Sequence, residues 1–228
     1  MSNSGLGKSS IGRKVLMALS GFFLLFFLLQ HLLINMLSVI SADLFNEASH
    51  FMGTNPLVQF LLQPVLIFGV VFHLAMGIYL DVKNKAARPV KYAASNPQNN
   101  SSWMSRNMII TGVMIMLFLG LHFYDFWIHE MVEKYVEGDM TGLDANGNFR
   151  YHGELIEKFH GQPVRVLLYV ASFVFLSLHL LHGFASAFQS VGFRHTKYTP
   201  TIAKLGKLYA IAVPALYIFI AVFHFING

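Results

Sequence analysis

The stretch VLMALSGFFLLFFLLQHLLINMLSVI (15–40) decides the fold class. It contains no Asp, Glu, Lys or Arg, and it exceeds the ~20 mostly apolar residues needed to cross roughly 30 Å of hydrocarbon. Lys8, Arg13 and Lys14 precede it, as basic residues precede the apolar core of a secretory signal. The run is too long for such a core, however, and no small-x-small cleavage site closes it, so an uncleaved first helix is expected. Working outward, four more segments have the same character: 57–81, 107–130, 164–189 and 206–227. The last contains Pro214, which a membrane helix accommodates as a kink. Between the spans lie a short loop (41–56), a polar stretch (82–106), a long acidic loop (131–163) and a Gly/Arg/Lys loop (190–205). No internal repeat of 20–50 residues is visible. The expectation is an all-α membrane protein, with residues 1–228 forming a single membrane domain built as a bundle of five transmembrane helices.

Composition agrees with lipid as the solvent. Of 228 residues 55% are hydrophobic and only 12% charged, about half the charged share of soluble domains. Cysteine is absent, which excludes disulfides, thiolate zinc sites, cysteine-held iron–sulfur clusters and covalent C-x-x-C-H haem. The net charge of +5 comes from basic residues dispersed between spans, with no long basic run, so no nucleic-acid partner is expected. Those residues read instead as topology signals. Twelve of the 16 fall on one side: Lys8, Arg13, Lys14, Lys83, Lys85, Arg88, Lys91, Arg106, Arg194, Lys197, Lys204 and Lys207. The other side has Lys134, Arg150, Lys158 and Arg165, with most of the acids (Glu133, Glu137, Asp139, Asp144, Glu154 and Glu157). The positive-inside rule places the N-terminus in the cytoplasm and the C-terminus outside.

Eleven histidines are many for so apolar a chain. His31 lies in the first span, His73 in the second, His122 and His129 in the third, His179 and His182 in the fourth, and His224 in the fifth. One intramembrane histidine is most simply an interhelical hydrogen-bonding group, but four successive spans each carrying one call for a common function. Alternating the helix direction sorts them by depth. His31 and His122 fall in an outer layer and His73 and His179 in an inner one, separated by roughly 10–15 Å at the helical rise. Two depth-matched pairs suit two six-coordinate haems, each iron taking one neutral imidazole per face. His129, on the face of His122, and His182, on a face adjacent to His179, remain alternatives to them. His224 has no depth-matched partner and reads as interfacial; His152 and His160 read as solvated loop residues, and His195 lies in an inner loop. Gly69, Gly77, Gly120 and Gly183 are small enough to admit a macrocycle, and serve ordinary helix packing equally well.

The strings GRKVLMALSGFFLLFFLLQHLLIN (12–35), FNEASHFM (45–52), VFHLAMGIY (71–79), LHFYDFW (121–127) and LHLLHGFASAFQSVG (178–192) resemble the cytochrome b subunit of succinate dehydrogenase/fumarate reductase. The likeness is to the type that carries two haems b on one five-helix chain, and it covers nearly the whole chain in order and spacing. It implies haem ligands at His31, His73, His122 and His179, paired first with third and second with fourth. It also implies a bacterial cytoplasmic-membrane protein with a flavoprotein (FAD) and an iron–sulfur subunit docked on the cytoplasmic face. Electrons from succinate would pass by the inner and then the outer haem to menaquinone or another quinone. Charge moved across the bilayer in this way couples to the membrane potential at about 2.3 kcal/mol per charge per 100 mV.

For the quinone, the expected residues are Glu47, His50, Asp125 and Glu130, near the outer haem where protons are exchanged; acids at an interface also simply solvate helix ends. Arg13, Lys14, Ser20 and Arg194 are the expected partners of haem propionates. Ser177 stands where some fumarate-reducing relatives carry a proton-conducting Glu, which favours succinate oxidation. The rival readings are a quinol:fumarate reductase running in reverse, the dihaem subunit of another respiratory complex, and a haem-free transporter with a histidine proton relay. The second would hand electrons to a molybdenum enzyme in place of a flavoprotein, and the third would have no haem spectrum.

Overall fold

A computed structural model describes residues 9–87 and 107–228. Lys8, Arg88, Lys91 and Arg106, four of the basic residues used to orient the chain, lie outside the described residues, as does most of the polar stretch 82–106. The described residues form α1 (Ser10–Ile40), α2 (Ala42–Thr54), α3 (Val58–Ala86), α4 (Met108–Tyr135), α5 (Tyr151–Phe159), α6 (Pro163–Ser190) and α7 (Thr199–Asn227). No strand occurs among them; an isolated bridge joins Leu143 to Phe149. Helices α1, α3, α4, α6 and α7 are long and apolar enough to cross a membrane. The protein is a multi-pass, all-α membrane protein.

Each span runs past its expected boundary, because apolarity marks the hydrocarbon while backbone hydrogen bonding and capping mark the helix. Ser9 Oγ accepts from Gly12 N at 2.9 Å and starts α1 five residues before Val15. Pro163 opens α6, at a position where its missing N–H costs nothing. Pro214 is accommodated inside α7. The first turn of α3, Val58–Leu62, is π-helical, just ahead of Pro64, which has no N–H to give to the ladder.

Two expected loops are helical. The segment 41–56 forms α2: Ser41 Oγ accepts from Leu44 N at 3.4 Å, Asp43 sits in the first turn, and Asn55, in front of Pro56, leaves the helix in an extended conformation. The loop 131–163 contains the end of α4, a turn and α5. In the turn, Asp144 Oδ1 accepts from Asn146 N and Asn148 N, both at 2.9 Å, while Gly147 takes a positive φ of 81°.

The large apolar side chains of the spans are widely exposed, Phe26 at 74% and Phe68 at 68%. In a chain of this length and apolarity that surface is the lipid-facing one. The helices divide into two compact units. The first draws on Met1–Phe27, Leu66–Val113 and Leu176–Ala212, the second on Leu28–Val65, Met114–Phe175 and Val213–Gly228. Every span contributes to both.

Candidate functional site

The first unit holds His73 on α3 and His179 on α6, with ring centroids 6.4 Å apart and planes at 64°. Each ring is held by one hydroxyl. Ser20 Oγ of α1 lies 2.9 Å from His73 Nδ1, and Thr111 Oγ1 of α4 lies 3.1 Å from His179 Nδ1. Each imidazole also rests against a glycine: an added Cβ would lie 3.7 Å from His73 Cε1 at Gly21 and 3.8 Å from His179 Cε1 at Gly112. Of the glycines singled out in the sequence, Gly69 lets Phe23 approach, Gly77 and Gly183 lie against the ends of the Met17 and Met108 side chains, and Gly120 faces open space. His182 is half-buried one turn from His179, and the ring that meets His73 is that of His179. Of the expected propionate partners, Ser20 is engaged with His73, Arg13 lies over the Tyr79 ring at 5.7 Å, and Lys14 and Arg194 are exposed.

The second unit holds His31 on α1 and His122 on α4, with centroids 5.8 Å apart and planes at 84°. Tyr217 lies 6.1 Å from His31 and donates its hydroxyl to Leu28 O at 2.9 Å. Phe118, Phe126 and Tyr169 surround His122 at 5.7, 5.3 and 6.4 Å. His122 Nδ1 is buried and makes no hydrogen bond among the described residues, so the chain leaves polar demand unmet at this ring.

Both ring separations suit a shared metal. A metal–nitrogen bond of about 2 Å, plus ~1 Å from nitrogen to ring centre, on each side of the metal, puts two axial imidazoles about 6 Å apart. The observed 6.4 and 5.8 Å fit. Two facing imidazole pairs, without a thiolate or a converging carboxylate, are the kind of donor set that could hold a haem iron between two histidines.

The helix register after His122 explains what becomes of His129. The segment Phe123–Ile128 is a π-helical turn. The added residue rotates everything beyond it by roughly 100°. The seven-residue spacing therefore no longer returns His129 to the face of His122, as a regular helix would. Instead His129 Nε2 lies 3.3 Å from Glu133 and 3.9 Å from Glu154 of α5.

The four expected quinone residues lie in the second unit but do not form one cluster. Asp125 is buried; Tyr169 donates to it at 2.7 Å, and Arg165 approaches at 3.4 Å. Glu130 pairs with Lys134 at 2.6 Å and Arg150 at 2.8 Å. His50 stacks on Phe149 at 4.3 Å, with Tyr151 Oη 3.4 Å from its Nδ1. Glu47 is exposed on α2.

Arg150 is the hub that sequence reading missed. Its guanidinium meets Glu154 at 2.6 Å, Glu130 at 2.8 Å, Asp139 at 3.5 Å, and Glu133. Burial raises the Glu154 carboxyl above its ordinary pKa, and the neighbouring Glu133 and Glu130 add to that against Arg150. The Thr141 hydroxyl and backbone N–H hold Asp139 below its ordinary value. The available signal was the stacking of i,i+4 pairs 129/133 and 130/134, which extends α4 beyond its apolar end.

His224 departs from the interfacial role expected of it. It is buried, with Nε2 2.8 Å from Ser38 Oγ and its ring 5.6 Å from that of His152. His152 in turn donates through Nε2 to Ser38 O at 3.1 Å. It is a tether between α5 and α1 rather than a solvated loop residue, because α5 lays it there. His160, which follows α5, is exposed.

With this geometry in place, the chain is found to be similar to the succinate dehydrogenase cytochrome b558 subunit of Bacillus subtilis (strain 168). They are 28% identical over 115 residues, which is 50% of this chain and 54% of that one. The chain thus matches about half the length of that relative. No protein-family model matches it, and no solved structure does. That relative and the five apolar helices agree with the resemblance seen in the sequence: the chain is similar to a membrane-anchor cytochrome b.

Proposed function

We propose that the chain is the dihaem cytochrome b anchor of a succinate:quinone oxidoreductase in a bacterial cytoplasmic membrane. In this reading the N-terminus is cytoplasmic, the C-terminus is outside, and a flavoprotein and an iron–sulfur subunit dock on the cytoplasmic face. The observation that carries it is the pair of facing imidazole couples, His73/His179 at 6.4 Å and His31/His122 at 5.8 Å, one in each unit. The named relative supplies the enzyme class, and the dicarboxylate chemistry belongs to the partner subunits.

When bound, two haems b supply one-electron transfer between the iron–sulfur partner and menaquinone or another quinone. The chain's own task is to ligate, orient and exclude water. His73 and His179 form the inner ligand pair and His31 and His122 the outer one. Phe118, Phe126 and Tyr169 keep the environment of His122 apolar, which sets burial as one lever on potential. Arg13, Ser20 and Arg194 belong to the unit of the inner pair, where Arg13 and Arg194 can meet anionic propionates.

Quinone reduction consumes protons, and groups able to deliver them lie in the unit of the outer pair. Glu47, His50, Asp125 and Glu130 are assigned to that role. Asp125 has the most direct geometry: it is one helical turn from His122, and Tyr169, against the His122 ring, donates to it.

A reduced-minus-oxidised spectrum of the purified chain with its partners tests the proposal. The expected result is a b-type band with two haems per chain by extraction. Absence of the band, or co-purification with a molybdenum enzyme in place of a flavoprotein, would refute it.

A further inference from the structure

Three histidines of the spans share one device. Ser20 Oγ lies 2.8 Å from Met17 O, Thr111 Oγ1 2.9 Å from Met108 O, and Ser38 Oγ 2.6 Å from Asn35 O. In each case the carbonyl belongs to the residue three positions earlier. A carbonyl only accepts, so the single proton of each hydroxyl is committed to it. The same oxygen also sits at hydrogen-bond distance from a ring nitrogen of a histidine on another helix: His73 Nδ1 at 2.9 Å, His179 Nδ1 at 3.1 Å and His224 Nε2 at 2.8 Å. With its proton spent, the hydroxyl accepts there, and the ring nitrogen carries the hydrogen.

We propose that Ser20 and Thr111 are positioning residues that fix His73 and His179 as Nδ1–H tautomers, so that each ring offers an Nε2 lone pair to a metal. The inference rests on the reading of these two histidines as haem ligands. Ser38 applies the same chemistry in the opposite sense. It accepts from His224 Nε2–H, which keeps the hydrogen on the nitrogen that would otherwise be free to ligate, and so keeps His224 structural. The sorting of the spans' histidines into ligands and non-ligands is thus partly written in which nitrogen a hydroxyl claims.

Satisfying the hydroxyl alone does not account for the pattern. A serine or threonine in an apolar helix is satisfied by the bond to its own backbone carbonyl and needs no partner on another helix. Here both members of one imidazole pair receive such a partner, from different helices, on the same ring nitrogen. An Nδ1–H with an acceptor also makes its ring a more basic ligand, which favours the ferric state of a bound iron.

The test uses the whole complex in native membranes. Ser20→Ala and Thr111→Val remove one acceptor each; Ser20→Thr and Thr111→Ser restore it; Ser38→Ala is the control on His224. Redox titration followed optically reads the two haems separately, and extraction counts them. The expected result for Ser20→Ala or Thr111→Val is a roughly 10–100-fold weaker retention of one haem and an upward shift of its midpoint, with the other haem unchanged. The hydroxyl-restoring variants return both properties, and Ser38→Ala leaves both haems as they were. Unchanged midpoint and retention in Ser20→Ala and Thr111→Val would overturn the proposal. So would loss of haem that Ser20→Thr and Thr111→Ser do not restore, which marks a packing role. A wild-type complex with no haem would instead defeat the ligand reading itself, and this inference with it.

Discussion

Replacing Arg150 by Met would test whether one guanidinium holds the cap of the second unit together. Four carboxylates (Glu130, Glu133, Asp139 and Glu154) converge on it, and Lys134 is the second cation, 2.6 Å from Glu130 and 2.5 Å from Gly53 O. Arg150 is 10% exposed and the three glutamates 16–19%, so solvent screens these pairs little; Asp139, at 39%, is screened and adds almost nothing. Removing one partner of a buried pair costs about 3–5 kcal/mol. The loss is limited here because a crowded carboxyl takes up a proton instead of staying charged, and burial already predisposes Glu154 to do so. The expected cost is therefore about 3 kcal/mol near neutral pH, or roughly a hundredfold in the population of the opened cap. Hydrogen exchange of the α5 amides, 151–159, measured on the complex in nanodiscs, reads that population directly. Arg150→Lys should fall between, since it keeps the charge but not the fork that serves several carboxylates at once. Unaltered α5 protection in Arg150→Met at neutral pH would refute the reasoning, and so would a loss that is as large at pH 5 as at pH 7.

His122→Leu is expected to remove one haem and His179→Leu the other, each leaving a single b-type signal, because each pair lies within one unit; loss of both haems with retained helical content would count against two independent pairs. Glu47→Gln should slow quinone reduction while both haems persist in the spectrum, and unchanged turnover would release this exposed residue from the quinone site. Glu154 also predicts a pH dependence. Its carboxyl is raised in the folded state, so its contribution to stability is fully present below the unfolded value of about 4.3 and is lost as pH rises through the folded value. Glu154→Gln removes that slope, so the stability of the wild-type relative to the variant should decline between pH 4 and 7; a flat difference would oppose it. Asp139 has the opposite sign. Its carboxyl is lowered by Thr141, so the turn it caps keeps its stability at neutral pH and loses it as pH falls through the folded value, a loss that Asp139→Asn should abolish in proteolysis of the 136–149 segment.

Much of the fold is legible in the sequence because lipid imposes it. Residues 15–40 have one outcome in a bilayer, since an apolar segment of that length must satisfy every backbone group internally, and a helix does so. The recurrence of histidine in successive spans is visible for the same reason, as an ionisable side chain stands out against hydrocarbon. Helices α2 and α5 lie outside that constraint. They sit where water satisfies a backbone equally well, and their formation depends on caps and contacts such as His152 N to Asn46 Oδ1 at 2.8 Å, across 106 residues of sequence.

The long histidine-bearing run 15–40 thus determined by itself that the protein spans a membrane and that His31 lies inside a span. It could not determine what faces that histidine, nor which nitrogen of His73, His179 or His224 is free. Those depend on hydroxyls 53, 68 and 186 residues distant along the chain, and on a π turn that moves His129 off the face of His122. Hydrophobic burial is additive along a sequence and can be read from it. A hydrogen bond depends on placing two atoms within about 3 Å, and only the tertiary structure sets that distance.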